Sequence, residues 1–355
     1  MIELKNTQWG QIRLADIFDE IPRGKVSDLK NVADGKTIII AASGANEGFS
    51  CFSNDEPISK NAMTISFNGV GTGTAFVHNY LFNLNSDCGL VKPKENISLY
   101  ALRFIAVSIN QNKNKFNYGY KANESRILRQ TVLLPISDDK DNPDYAYMAE
   151  YAQQKRETML NKYLEYVEEH VAELEHKDIP ALDEKEWKPI FISSMFELVR
   201  GCENNMAMLE DGYTPLISAK ANNNGLKGFV HNPKKIIAGQ CITLNNDGDG
   251  GAGLAYYQPA NMALDSHVTA LVPLFDMSAF VMLFIAKCIS GLHGFFGHGL
   301  SISNPRAKRL RIMLPVTDTG EPDYAYMEQY SKNMMLRKYK QYLEFINRQN
   351  VTEVD

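Results

Sequence analysis

The hexapeptide PDYAYM stands at Pro143–Met148 and again at Pro322–Met327. Aligning the two copies at an offset of about 179 brings the rest of the chain into register. QWGQIRLADIFDEIPRG (Gln8–Gly24) matches EWKPIFISSMFELVRG (Glu186–Gly201), and NEGF (Asn46–Phe49) matches NNGL (Asn223–Leu226). MTISFNGVGTGTAFV (Met63–Val77) matches ITLNNDGDGGAGLAYY (Ile242–Tyr257), and LRFIAVSI (Leu102–Ile109) matches MLFIAKCI (Met282–Ile289). Matches in one order at nearly constant spacing make the chain a duplication. Two copies of domain size exclude a solenoid, which stacks at least three short units.

Each half reads as α+β. Short β-like runs, TIIIAAS, MTISF and TAFV, then YTPLISA, CITLN and LAYY, are separated by Gly, Asn and Asp turns. An apolar helix is expected at Tyr100–Ile109 and at Ser278–Ile289. A strand ended by proline follows, TVLLP or RIMLP. PDYAYM then opens a long helix, with Asp144 and Asp323 as N-caps at the end where the macrodipole favours an acid. The expected division is a first β-rich domain at 1–143, a helix at 144–178, a second domain at 179–322, a helix at 323–350 and a tail at 351–355.

The first helix carries an apolar stripe at Met148, Tyr151, Leu160, Tyr163, Leu164, Val167, Val171 and Leu174. The second carries Met327, Tyr330, Met334, Met335, Tyr339, Tyr342, Phe345 and Ile346, again at spacings of three and four. Residues 144–178 hold nine acids and four bases; residues 323–350 hold three acids and five bases. Amphipathic helices of opposite charge suit one another, so an antiparallel coiled-coil pairing is expected.

The net charge of −5 argues on its face against nucleic acid, but the acidic helix accounts for it. From Arg103 to Arg129 there are six bases and one acid, and from Lys287 to Arg311 five bases and no acid. These windows occupy equivalent places in the two halves. Both interleave aromatic and small polar residues, NKFNYGYKANESRILR and LHGFFGHGLSISNPRAKR. Basic side chains neutralise phosphates, Asn, Ser and Arg read base edges, and aromatic rings pack on sugar or base.

Catalytic signatures are weak. NPDY (Asn142–Tyr145) resembles the NPPY loop of adenine methyltransferases only faintly, and the second copy reads EPDY; a turn with a helix cap explains both. GVGTGT (Gly69–Thr74) and GDGGAG (Gly248–Gly253) precede strand-like residues rather than a helix, so they read as hairpin turns and not phosphate loops. The Glu-x-Lys of DEKEWK (Asp183–Lys188) has no counterpart in the other half. Cys88 and His267 fall at nearly equivalent places in different halves, which gives no dyad. No HxxxH, HExxH or GxSxG is present. Five scattered cysteines without a CxxC indicate neither a disulfide framework nor a metal site. Without a signal-peptide pattern or a long apolar run, a reduced, cytoplasmic protein is expected.

The opening W-x-x-x-x-L-x-D-I-F (Trp9–Phe18), its partner W-x-x-x-x-I-x-x-M-F (Trp187–Phe196), the GTGTAF region and the LLP…PDYAYM exit carry a resemblance. The chain resembles the specificity (S) subunits of type I restriction–modification systems and the similar subunits of type IIB systems. The resemblance implies two tandem target recognition domains reading a split, asymmetric DNA sequence. It also implies spacer helices that dock adenine methyltransferase subunits, with or without an associated nuclease. It implies no catalytic activity in this chain, with S-adenosylmethionine held by the partner. Two other classes stay open: a protein-interaction scaffold without DNA binding, and an enzyme with an unrecognised nuclease or methyltransferase site.

The residues expected at DNA in the first half are Ser43, Asn46, Tyr118, Tyr120, Lys121, Asn123, Ser125 and Arg126. In the second half they are Lys220, Asn222, Asn223, Asn224, His298, Ser301, Ser303, Asn304 and Arg306. Trp9, Trp187, Phe18 and Phe196 are expected in the cores. A first helix of ~50 Å, at 1.5 Å per residue, limits the half-site centres to ~15 base pairs apart at 3.4 Å per pair.

Overall fold

The computed structural model describes residues 4, 7–69, 71–117, 119–137, 142–172, 174–205, 208–248, 251–297 and 300–352. The chain divides into two compact units, Met1–Glu165 and Tyr166–Asp355.

In the first unit, Trp9–Arg13 pairs antiparallel with Thr131–Pro135, so the start of the repeat is clamped to its end. Ala62–Ser66 lies between Ala75–His78 and Cys88–Leu90, antiparallel to both. Thr37–Ile40 pairs antiparallel with Phe49–Ser53 and parallel with Phe82–Leu84. The second unit repeats this plan. Trp187–Phe191 pairs with Arg311–Pro315, Cys241–Asn245 lies between Ala255–Gln258 and Val268–Pro273, and Asp211–Ile217 pairs with Leu226–Val230 and Ala263–Leu264. Here Phe196–Arg200 joins Val268–Pro273 in a four-stranded sheet. Its counterpart in the first unit, Phe18–Glu20, forms only a separate short ladder with Lys92–Pro93.

Against each central sheet lies the expected apolar helix, Leu99–Gln111 or Ala279–Ser290. Ser98 and Ser278 cap these helices by accepting the Ala101 and Val281 N–H groups. Ile105 and Ile285 at their centres are fully buried. Phe18 and Phe196 are core residues as expected, at 1% and 2% exposure. Trp187 is half-buried against the second core. Trp9 is 40% exposed, contrary to expectation. It sits at the end of the terminal ladder, and its ring leans on Phe104 at 6.2 Å instead of entering the core.

The two PDYAYM copies build the same joint. The N–H of Asp144 or Asp323 donates to Pro135 or Pro315 O at 2.9 Å, tying the last strand to the helix start. The aspartate side chains accept Tyr147 N–H at 2.9 Å and Tyr326 N–H at 3.0 Å. Met148 and Met327 are fully buried in the cores of their own units. Asp323 has an added partner, Lys185 Nζ at 2.8 Å. Burial alone would raise this carboxyl, but Lys185 and the Tyr326 N–H together hold it below the usual carboxylate range. Removing Asp323 strips the cap and leaves a half-buried ammonium without its carboxylate. Asp323→Ala is therefore expected to cost more than the ~1 kcal/mol of an ordinary cap, and more than Asp144→Ala, in chemical denaturation.

The first long helix spans Tyr145–Ala172 and the second Tyr324–Thr352. The first is shorter than expected, and beyond it the chain from Leu174 is no longer helical. Local propensity favours continuation through AELEHK, but the second helix claims this backbone. Tyr326 Oη donates to Pro180 O, Gln329 Nε2 to Glu175 O, and Asn333 Nδ2 to Lys177 O. Asn333 Oδ1 also accepts the Lys177 N–H at 3.3 Å.

The apolar stripes hold in part. Val167 and Ile346 are buried, and Tyr151, Leu160, Leu164, Val171, Tyr330, Met334 and Tyr339 are half-buried. Tyr342, at 44% exposure, faces solvent and is stacked on Phe345, while Leu336, outside the expected stripe, is buried. Towards its end the helix thus keeps Ile346 inward but turns Tyr342 and Phe345 out to solvent.

Candidate nucleic-acid interface

Three loops meet in each unit. In the first, residues 41–48 follow the strand Thr37–Ile40, residues 67–74 join the hairpin strands, and residues 112–126 follow the helix Leu99–Gln111. The glycine-rich turn is the middle member. A Cβ at Gly71 would lie 2.3 Å from the Ser43 carbonyl carbon, so only glycine allows the approach. On the other side Thr72 Oγ1 accepts the Ala122 N–H at 3.0 Å. The second unit has the same arrangement. A Cβ at Gly251 would meet Ala219 O at 2.9 Å, and the Asn246 and Ile302 backbones bond each other at 2.6 Å. The sequence shows both glycine clusters as turns; their place between the other two loops emerges only in the fold.

The first loop carries a strained turn in both copies. Asn46 and Glu47 have φ of 51° each, and Asn223 and Asn224 have 51° and 50°, each pair followed by a glycine also in the left-handed region. Asparagine tolerates this conformation better than most residues, but each such site still costs on the order of 1 kcal/mol. Asn46, Asn222, Asn223 and Asn224 are exposed at this tip, and Ser43 is half-buried, its Oγ bonded within the turn to Ala45.

A buried polar network braces each turn from below. In the first unit Thr64 Oγ1 donates to His78 Nε2 at 2.8 Å, His78 Nδ1–H donates to Tyr80 Oη at 3.0 Å, and Tyr80 donates to Glu47 at 3.2 Å. In the second, Gln258 at the matching position donates to Thr243 Oγ1 and to Asn224 O. Burial pulls His78 down from 6.5 to about 4, so it is neutral in the fold. Its unfolded form gains a proton first as pH falls, so its contribution to stability is full above about 6.5 and is lost toward about 4. Between pH 7 and pH 5 the loss is expected to be ~2 kcal/mol, read as a falling unfolding midpoint, and His78→Gln should flatten that slope.

Each basic window contains a short helix beyond the apolar one, Glu124–Leu128 or Asn304–Lys308. This reassigns several expected contacts. Asn123 caps the first by accepting Arg126 N–H at 2.8 Å, and Ser303 caps the second by accepting Arg306 N–H at 3.4 Å. Arg126 Nη1 donates to Lys121 O at 2.6 Å, and Arg306 Nη1 likewise donates to Ser301 O. The two arginines latch equivalent loops. Asn304 Oδ1 accepts from Thr269 at 3.1 Å. Tyr120 stacks on Phe116 with ring centroids 6.0 Å apart, and the Arg126 guanidinium lies over the Tyr120 ring, 4.1 Å from its centroid. Lys121, Ser125 and Ser301 are exposed. Lys220 is half-buried, its Nζ on Leu226 O and its carbonyl accepting Tyr256 Oη and Asn245 Nδ2. Tyr118 and His298 lie outside the described residues.

The sequence marks none of Asn68, Asp87 and Asp247 as site residues, and it sets His267 only beside Cys88. Asn68 donates to Asp87 at 3.2 Å in the first unit, and Asp247 pairs with His267 at 2.7 Å in the second. The loops hold them in matching places, since Phe67 N–H donates to Asp87 O as Asn246 N–H does to His267 O. Asp87, not Cys88, is therefore the counterpart of His267.

The model for the type I restriction modification DNA specificity domain matches residues 6–166 and again residues 184–344. The chain belongs to this family. The specificity subunit S.BcgI of a type II restriction enzyme from Heyndrickxia coagulans is 24% identical over 328 residues, spanning 87% of this chain and 93% of that protein. Among solved structures, a type I restriction–modification S subunit from M. genitalium is similar over 99% of this chain and 94% of its own. That match has 13% identity and a TM-score of 0.45. The HsdS subunit from Thermoanaerobacter tengcongensis is similar over 98% of this chain and 92% of its own, with 11% identity and a TM-score of 0.32. Each family match covers one repeat and ends within its long helix, so the duplicated unit of the sequence is the unit of the family. Among the described residues no helix is long and apolar enough to cross a membrane.

Proposed function

We propose that this chain is the non-catalytic sequence-reading subunit of a restriction–modification complex. Each three-loop cluster reads one half of a split, asymmetric DNA target, and the long helices dock adenine methyltransferase subunits. The observation that carries the reading is the cluster itself, built twice on one plan from basic and aromatic loops whose exposed side chains differ. Exposed Glu47 and Lys121 stand where Asn224 and Ser301 stand in the other copy, so the two halves present different donors and acceptors. S-adenosylmethionine belongs to the partner. The domain division is taken as two recognition domains separated and followed by the helices. A first helix of 28 residues lowers the limit on half-site separation to ~12 base pairs, at 1.5 Å per residue and 3.4 Å per pair.

Mapping methylated adenines in a host that carries the chain with its methyltransferase tests this. A bipartite motif is expected, and Lys121→Ala should weaken recognition of one half only. Methylation by this chain alone would indicate an enzyme, and failure to bind any duplex with or without the partner would indicate a scaffold.

The helices are proposed to pair antiparallel, acidic against basic. Reversing the charges of either helix should lower stability, and reversing both should restore it. A double reversal no better than a single one rejects the pairing.

A further inference from the structure

A cleft of about 770 Å³ opens among the three loops of the second unit, lined in part by Lys220, Lys227, Asp247, His267 and Ser301. Asp247 and His267 remain accessible there, with side chains 35% and 56% exposed. The Asp247 carboxylate accepts from His267 Nδ1 through Oδ1. This contact fixes the carboxylate's orientation without covering it.

A carboxylate on a face that meets DNA needs a reason, because phosphates repel it. The only groups on a duplex that favour it are exocyclic amines. In the major groove, cytosine presents the N4 amine alone, whereas adenine sets an N7 acceptor beside its N6 amine. Guanine presents two acceptors, and thymine an acceptor and a methyl. We infer that Asp247 is a specificity-determining residue that reads cytosine N4 in the half-site of the second repeat, oriented by His267. The first unit carries a different pair at this place, Asn68 and Asp87, which sets a different chemical requirement there. The inference rests on the proposed role as a DNA reader and adds one base and one residue to it.

The test maps methylated sites in a host carrying the methyltransferase with the wild-type chain, Asp247→Ala or Asp247→Asn. One half of the wild-type motif is expected to contain a required C·G pair. Asp247→Ala should relax that position about 10- to 100-fold. Asp247→Asn should shift it toward A·T, because an amide pairs with both N6 and N7 of adenine. The other half-site should not change, which also shows that the variant folds and assembles. A second measurement needs no variant: N4-methylcytosine at that position should weaken binding by the wild-type complex. An unchanged motif, a uniform decline at every site, equal loss in both halves, or indifference to N4-methylation overturns the assignment while leaving the split motif intact. A wild-type chain that directs no split motif overturns the DNA-reading role as well.

Discussion

Alanine at Gly71 is expected to abolish reading of one half-site and leave the other intact. The added Cβ would sit 2.3 Å from the carbonyl carbon and 2.4 Å from the carbonyl oxygen of Ser43, well inside contact distance. Both are backbone atoms, so no rotamer change relieves the clash. Either the glycine-rich turn or the 41–48 loop has to move. The first choice breaks the Thr72–Ala122 bond to the basic loop, and the second disturbs the left-handed turn at Asn46 and Glu47. A displacement of about 1 Å is enough to lose base contacts worth ~1–3 kcal/mol each, so several lost together reduce affinity more than 100-fold. Competition between duplexes altered in one half-site at a time measures this. Gly71→Ala should stop distinguishing the correct first half-site from a scrambled one, while still rejecting a scrambled second half-site. Loss of discrimination in both halves would contradict independent reading clusters.

Truncating Met148 or Met327 is expected to produce the largest stability losses at the joints. Both side chains are fully buried, each at the point where a long helix enters the core of its unit. Methionine to alanine in such a place costs ~2–5 kcal/mol, from lost burial and from the cavity that remains. Because the two methionines belong to separate cores, Met148→Ala should lower protection of the first unit and Met327→Ala that of the second. Hydrogen exchange read segment by segment checks this. In the first variant, amides of Ala62–Ser66 should exchange faster; in the second, those of Cys241–Asn245. Equal acceleration of both strands by either substitution would mean the units unfold together.

The duplication, the hairpins, the apolar helices and the PDYAYM joints were legible in the sequence. They depend on interactions between near neighbours: alternation in a strand, a turn rich in glycine, an aspartate preceding a helix. The residues proposed to face DNA were legible only as windows. Within those windows, composition does not separate a residue that meets a ligand from one that holds the loop. Asn123 and Ser303 have contact chemistry and are helix caps; Arg126 and Arg306 have it and latch Lys121 O and Ser301 O. Asp247 and His267 stand 20 positions apart in sequence and carry no motif, so only the sheet register brings them to 2.7 Å.

By itself the sequence determined that this protein is one β-rich unit written twice, each followed by an amphipathic helix, with bases gathered at equivalent places. Tertiary structure decided where the first helix stops, because side chains from Gln329 and Asn333 capture the Glu175 and Lys177 carbonyls, which local propensity would have kept helical. It also decided that the glycine-rich turns form the centre of each loop cluster. That placement depends on backbones touching across some 30 residues of sequence, between Ser43 and Gly71 and between Ala219 and Gly251, a contact that no local pattern of residues encodes.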